Sequence, residues 1–265
     1  MKITIAGYGS IGRYVEEVFG ARHEIAIYDA PLGLGSLQDL RDTDFVFICV
    51  PTPSLPNGAC DTSAVEEVVE LASPRLAIVC QSTVSIGTTE RLARQSGKPL
   101  VFVPEYAGES ADHPYRDPAK REFFVYGGYE PAASHVRDLF CTVYPAGALH
   151  SIIDPTTAEA VKYMENSFLA LKVAFCNEVF DLCGRLGVDY EQARFLWTRD
   201  WRIGESHTLV TQERGFGGKC LPKDVAALCE VARDLGVPLE VMEAAQRSND
   251  RVRSNAANVL PAVAG

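Results

Sequence analysis

The chain has 265 residues, 47% of them hydrophobic, with 25 Lys and Arg against 35 Asp and Glu, a formal net charge of −10. That length accommodates one large domain or two ordinary ones, and the hydrophobic share is ample for a packed core. The acidic balance argues against partners that want clustered Lys and Arg, so neither nucleic acid nor a membrane surface is expected, although a few local arginines can still serve an anionic substrate.

The chain opens with a short strand, Lys2 to Ala6, that runs into Gly7-x-Gly9-x-x-Gly12 and then a helix. A second strand, "HEIAIYD", ends in Asp29, seventeen residues past Gly12. The spacing suits a dinucleotide: glycines permit a tight turn and close approach to a pyrophosphate, and the helix N-terminus brings a positive dipole. Gly7, Tyr8, Gly9, Ser10, Ile11 and Gly12 are therefore candidate cofactor contacts. Asp29 would bind ribose hydroxyls and repel a 2′-phosphate, which favours NAD over NADP.

Alternation continues through "DFVFICVP" (strand), "DTSAVEEVVELA" (helix), "RLAIVCQS" (strand), "GTTERLARQ" (helix), "PLVFVPE" and "REFFVYGG" (strands) and "PAASHVRDLF" (helix). Strands that are apolar throughout, interleaved with amphipathic helices, predict a parallel sheet covered on both faces. Residues 1–150 therefore read as a Rossmann-like doubly wound domain of an α/β protein. Ligands in such sheets sit beyond the strand C-termini, where Thr52, Thr83 and Glu105 stand.

Residues 151–265 read as an all-helical domain with a long central helix, starting near Asp154 and stopping at Gly187. Val161, Met164, Phe168, Leu171, Phe175, Val179, Leu182 and Leu186 recur at steps of three or four, a stripe for core or subunit interface. A homodimer built on the 154–187 helix is expected. Lys162 and Asn166 share another face. Two further helices follow, roughly "KDVAALCEVARDLG" and "LEVMEAAQRSNDRVRSNAANVL".

The eight cysteines are scattered, several inside apolar runs where Cys behaves as a small hydrophobe; there is no CxxC pair, the five histidines lie far apart, and no metal site is expected. The N-terminus has no basic n-region and no apolar run approaches ~18 residues, so a soluble protein of a reducing compartment, cytoplasmic, is expected. Cys220 is different. In "GFGGKCLPKD" it follows Gly217 and Gly218 and precedes Lys223 and Asp224. Glycines let backbone N–H groups approach a substrate, and the charges can control ionisation and proton traffic, which marks a nucleophile.

Together "GYGSIG" with Asp29, "VPTP", "STVSIGTT", "PEYAGES", "AEAVKYMENSFLALKVAFCNE", "RDWRIG" and "GFGGKCLPKD" make the chain resemble the UDP-glucose/GDP-mannose dehydrogenases. The resemblance implies NAD-dependent oxidation of a primary alcohol, twice, to a carboxylate through a cysteine thioester. It implies Cys220 as nucleophile, with Lys162 and Asn166 holding the substrate oxygen and Glu105 assisting acid–base steps. Thr83 and Asp224 would order water, Glu109 would lie beside nicotinamide or substrate, and Lys223 and Thr52 would contact the cofactor. Gly217 would meet substrate, and Arg202 would reach the substrate of a neighbouring subunit. The pattern also departs from the family's. Only sixteen residues separate Asp29 from Val46, 41 residues follow Asp224, and "ESHTLVTQER", Ser85 and Gly108 differ from the usual motifs. The expectation is that the chemistry is kept and the grip on the nucleotide end is changed, so the alcohol is a nucleotide sugar, a nucleoside or a sugar. Two alternatives are a β-hydroxyacid dehydrogenase, which transfers one hydride and needs no cysteine, and an inactive NAD-binding partner subunit.

Overall fold

The computed structural model describes residues 1–107 and 113–259. They form two compact units, one of residues 1–55 and 60–162, the other of residues 56–59 and 163 onward.

The first unit is built on a seven-stranded sheet in the order β2-β1-β3-β4-β5-β6-β7. Its strands are β1 (Lys2–Ala6), β2 (Glu24–Tyr28), β3 (Phe45–Ile48), β4 (Ala77–Cys80), β5 (Leu100–Phe102), β6 (Phe123–Gly127) and β7 (Leu149–Ile153). β1 to β5 are mutually parallel, but β6 pairs antiparallel with β5, and β7 runs parallel to β6. The all-parallel expectation therefore fails at one end of the sheet. Strands buried on both faces are continuous apolar runs in either direction, so composition does not report their sense.

Side chains alternate across the pleat. Phe45 and Phe47 join Ile3, Ile5 and Val79 on one face, packed with Tyr14, Val15 and Phe19 of α1 (Ser10–Phe19) and Val136 and Phe140 of α4 (Ala132–Phe140). Val46 and Ile48 join Ile78, Cys80 and Phe102 on the other, packed with Val65 and Val68 of α2 (Ser63–Leu71) and Leu92 of α3 (Thr88–Ser96). Between β2 and β3 the described residues form turns rather than a helix, consistent with the shortness of that crossover.

A single helix, α5 (Pro155–Leu186), follows β7. Asp154 accepts the Thr157 N–H at 2.8 Å at its start, and Gly187 ends it at φ +70°, where a side chain would be strained. The second unit adds α6 (Tyr190–Trp197), α7 (Leu221–Asp234) and α8 (Glu240–Val259). Its core is made of small residues, Ala170, Ala174, Cys229 and Ala245, around Phe216 and Val225. The larger residues of the α5 stripe point outward: Met164, Phe168 and Leu186 are 65%, 62% and 66% exposed. No helix among the described residues is long and apolar enough to cross a membrane.

Candidate active site

The glycine loop after β1 uses each glycine differently. Gly7 sits at φ +95°, and a Cβ there would lie 2.8 Å from the Cys49 and Val50 backbone. A Cβ on Gly12 would lie 2.1 Å from the Gly7 carbonyl oxygen. Neither position admits a side chain. Gly9, by contrast, has nothing within 4 Å of where its Cβ would be, so its lack of a side chain leaves space in front of α1. Ser10 and Ile11 lie in that helix's first turn, whose N–H groups have no intrahelical acceptors. Asp29 reaches the loop: Oδ2 accepts the Tyr8 N–H at 2.7 Å and Oδ1 the Leu32 N–H at 3.1 Å. Each oxygen keeps a lone pair for a further donor. An open cradle of N–H groups beside an anchored carboxylate fits the pyrophosphate and ribose of a dinucleotide. The Tyr8 hydroxyl donates to Glu16, and this bond raises the phenol's pKa.

Beyond β3 and β4, the Thr52 hydroxyl donates to the Thr83 carbonyl at 2.6 Å, tying the two candidates together. Glu105, after β5, is buried and heavily engaged. Its Oε1 accepts from the N–H groups of Tyr106 (2.7 Å) and Ala107 (2.6 Å) and from Arg121 Nη1 (2.6 Å). Oε2, 3.4 Å from Gln81 Nε2, is the oxygen left to take a further proton or donor. Both side chains of the Glu105–Arg121 pair are almost fully buried, 3% and 2% exposed. The guanidinium also lies 5.0–5.4 Å from the ring centroids of Phe124, Tyr106 and Tyr115. Burial opposes the Arg121 charge, but Glu105, with smaller contributions from Tyr144 and Tyr14, raises the arginine's pKa on balance. Lys162 is 7% exposed, with Nζ 4.3 Å over the Tyr106 ring.

In the helical unit, Asn166 on α5 donates from Nδ2 to Asp224 Oδ2 at 2.5 Å. Asp224 is 1% exposed, and its Oδ1 forms a 2.8 Å ion pair with Lys223 Nζ, off hydrogen-bond alignment. Cys220 is exposed and occupies the N-cap of α7, where the helix dipole favours a negative charge. Burial pushes the Cys49, Cys80, Cys176 and Cys229 thiols up, which suits packing rather than reaction. A Cβ on Gly217 would lie 2.5 Å from Arg253 Nη1, so the loop backbone runs against that guanidinium. Arg202 is exposed and bound to its neighbour Asp200, Nη2 to Oδ2 2.5 Å. Glu109 lies outside the described residues.

Residues 35–137 match the NAD-binding domain of the UDP-glucose/GDP-mannose dehydrogenase family, and residues 156–251 match that family's central domain. The chain belongs to this family. Its NAD-binding match contains Thr52, Thr83 and Glu105, and its central-domain match contains Lys162, Asn166, Cys220 and Asp224. Among curated family members, UDP-glucose 6-dehydrogenase of Pseudomonas aeruginosa is 34% identical over 231 residues, 81% of this chain and 50% of that protein. The Rhizobium meliloti enzyme of the same name is 31% identical over 93% of this chain and 60% of its own length. The chain thus spans about half the length of the curated relatives it matches. A UDP-glucose dehydrogenase structure from Pyrobaculum islandicum superposes with a TM-score of 0.83 at 27% identity, covering 94% of this chain and 68% of that one.

Several residues of this dehydrogenase-family chain carry structure that motif reading passes over. Arg121 and Gln81 hold Glu105. Asn177 and Asn249, 2% and 5% exposed, bind the loop that precedes Cys220. Asparagine inside a helix is a poor helix former and seldom buried without a task; that oddity in α5 and α8 is the signal available from sequence. Glu159 is wholly buried on α5, accepts the Gly87 and Thr89 N–H groups at 2.5 and 2.8 Å, and is pushed up to about 7 by burial.

Proposed function

We propose that the chain carries out NAD-dependent, four-electron oxidation of the primary alcohol of a nucleotide sugar of the UDP-glucose class to a carboxylate. The observation that carries this reading is the exposed Cys220 at the N-terminus of α7, one turn from the buried Asn166–Asp224 pair and its partner Lys223. The names of the three relatives described above, each a UDP-glucose dehydrogenase, suggest the substrate class.

Bound NAD would lie with its pyrophosphate at Gly9 and the first turn of α1 and its ribose on Asp29, and would supply a hydride acceptor. The chain's own residues do the rest. Lys162 and Asn166 hold the alcohol oxygen, then the aldehyde oxygen, so that charge developing there meets an ammonium and an amide. The Cys220 sulfur attacks the aldehyde carbon, forming the C–S bond of a thiohemiacetal. Loss of a second hydride from that carbon leaves a thioester. Water, ordered by Thr83 and Asp224, attacks the thioester carbon; the C–S bond breaks, and the thiolate and carboxylate leave. Glu105 Oε2 takes one proton from that water, and the second passes to solvent as the carboxylate ionises. Lys223 and Thr52 contact the cofactor. The outward α5 stripe forms a homodimer interface, and Arg202 reaches the partner's substrate.

The test is a count of NADH against product with UDP-glucose and a panel of nucleotide sugars, nucleosides and free sugars. Two NADH per carboxylate, abolished in Cys220→Ser with NAD binding intact, is expected. One NADH per turnover, unchanged in Cys220→Ser, would instead make this a single-hydride dehydrogenase.

A further inference from the structure

The loop that delivers Cys220 does not hold itself. Residues 211–220 form neither helix nor strand, and Arg214, Gly215 and Gly218 stand at φ +57°, +62° and +74°. For Arg214 this left-handed backbone is unfavourable and persists only where the surroundings impose it.

Two buried amides impose it. Asn249 of α8 accepts the Phe216 N–H on Oδ1 at 2.6 Å and donates from Nδ2 to the Phe216 carbonyl at 3.1 Å. One side chain thus satisfies both polar groups of one residue, as a neighbouring strand would. Asn177 of α5 accepts the Gly215 N–H at 3.0 Å and Arg214 Nε–H at 2.8 Å, and donates to the Val173 carbonyl at 2.9 Å. The fit is close: a Cβ on Gly215 would lie 2.3 Å from Asn249 Oδ1. Phe216, clamped at both its N–H and its carbonyl, buries its ring against Ala170, Ala174 and Val225.

We propose that Asn177 and Asn249 are positioning residues for Cys220, fixing successive peptide groups of the 214–216 backbone and so the place from which the thiol attacks. This rests on the reading of Cys220 as nucleophile. Apart from the Val173 carbonyl, the side-chain hydrogen bonds of these two amides go to residues 214–216 among the described residues, and the two amides are not equivalent. Aspartate at 177 keeps both acceptor contacts to the loop, and the carboxylate oxygen it sets against a carbonyl faces Val173, within its own helix. Aspartate at 249 loses the donor and sets a carboxylate oxygen against the Phe216 carbonyl.

The experiment compares Asn177→Asp, Asn249→Asp and Asn249→Ala with wild type in kcat, in KM for NAD, and in the rate at which iodoacetamide alkylates Cys220, read by peptide mass spectrometry. A misplacement of about 1 Å at a reacting group can cost ~100-fold. Asn249→Ala and Asn249→Asp should therefore lose about 30- to 100-fold in kcat, with KM for NAD within about twofold. Asn177→Asp should lose about fivefold or less, because its loop contacts survive. Cys220 alkylation should change at least threefold in both Asn249 variants and little in Asn177→Asp. If Asn249→Ala does not fold, the two aspartate variants still decide by their asymmetry. Equal losses in Asn177→Asp and Asn249→Asp, or Asn249 variants within threefold of wild type in kcat and alkylation, would overturn the proposal. Alkylation needs no turnover, so it judges the clamp even if Cys220→Ser still makes carboxylate, a result that would sink the nucleophile reading instead.

Discussion

Replacing Arg121 by methionine keeps most of the side-chain stem and removes the charge. Glu105 would keep the Tyr106 and Ala107 N–H groups but lose the Arg121 counter-charge, in a place where its side chain is 3% exposed. Stranding one member of a buried ion pair costs about 3–5 kcal/mol, because the remaining charge has neither water nor partner. At roughly 2–4 °C per kcal/mol for domains of this size, the Tm of the α/β unit should fall by about 6–20 °C. Glu105→Gln alone should also destabilise, since it strands the arginine. The double variant Arg121→Met with Glu105→Gln removes both charges and should recover much of the loss, giving a coupling of at least about 2 kcal/mol in a double-mutant cycle. Urea unfolding followed by calorimetry on all four proteins measures this. A single Arg121→Met costing under about 1 kcal/mol, or strict additivity in the cycle, would refute the claim that the pair is held together by mutual burial.

Glu159 has its pKa raised from 4.5 to about 7, chiefly by burial, so the folded state holds that proton more tightly than the unfolded chain. The stability this contributes is complete below about pH 4.5 and is lost as pH rises through about 7, an effect on the order of 3 kcal/mol. Urea midpoints of wild type should show that decline and those of Glu159→Gln should not; parallel curves would count against it. Gly12→Ala should unfold or severely destabilise the protein, whereas Gly9→Ala should leave Tm unchanged and weaken NAD binding at least tenfold by filling the cradle. Equal Tm losses in the two would show that the Gly9 space is not the ligand's. Phe168→Glu on the outward stripe should yield a monomer by light scattering at micromolar concentration, where wild type should be a dimer; no difference would end that proposal.

The nucleotide half was legible because its signals are local. A strand, three glycines at fixed offsets and an acid at the next strand's tip all lie within residues 1–29. The limits of α5 were equally readable from Asp154 and Gly187. Strand β7 has a weak sequence signal because "LHSII" is short, polar at its centre and adjacent to a helix start; it exists because β6 offers it a parallel edge. Helix α6 is short, and its sequence mark is the single cap residue Asp189, which accepts the Gln192 N–H. At the site, Cys220, Asp224 and Asn166 were visible as motif members. Arg121 and Asn249 lie outside the motifs, and Asn177 sits inside one with nothing to mark its task, since each acts on residues 16 to 38 positions away, a relation only the folded chain creates.

The first two turns of α5 have a bearing on how this molecule can be rebuilt. Ala158 fills the sheet's second face so closely that a Cβ on Gly127 would come within 2.5 Å of it. Thr156 bonds Glu90, and Glu159 supplies the acceptors that α3, starting from a left-handed Gly87, does not provide for itself. Residues 155–162 are thus wired into the α/β unit while being continuous with a helix whose remainder serves the other. A chimera that exchanged one nucleotide-binding unit for another would have to carry those residues with it, or leave the end of a neighbouring helix uncapped. Inheritance in such a chain passes through a seam that lies inside a helix rather than in a loop.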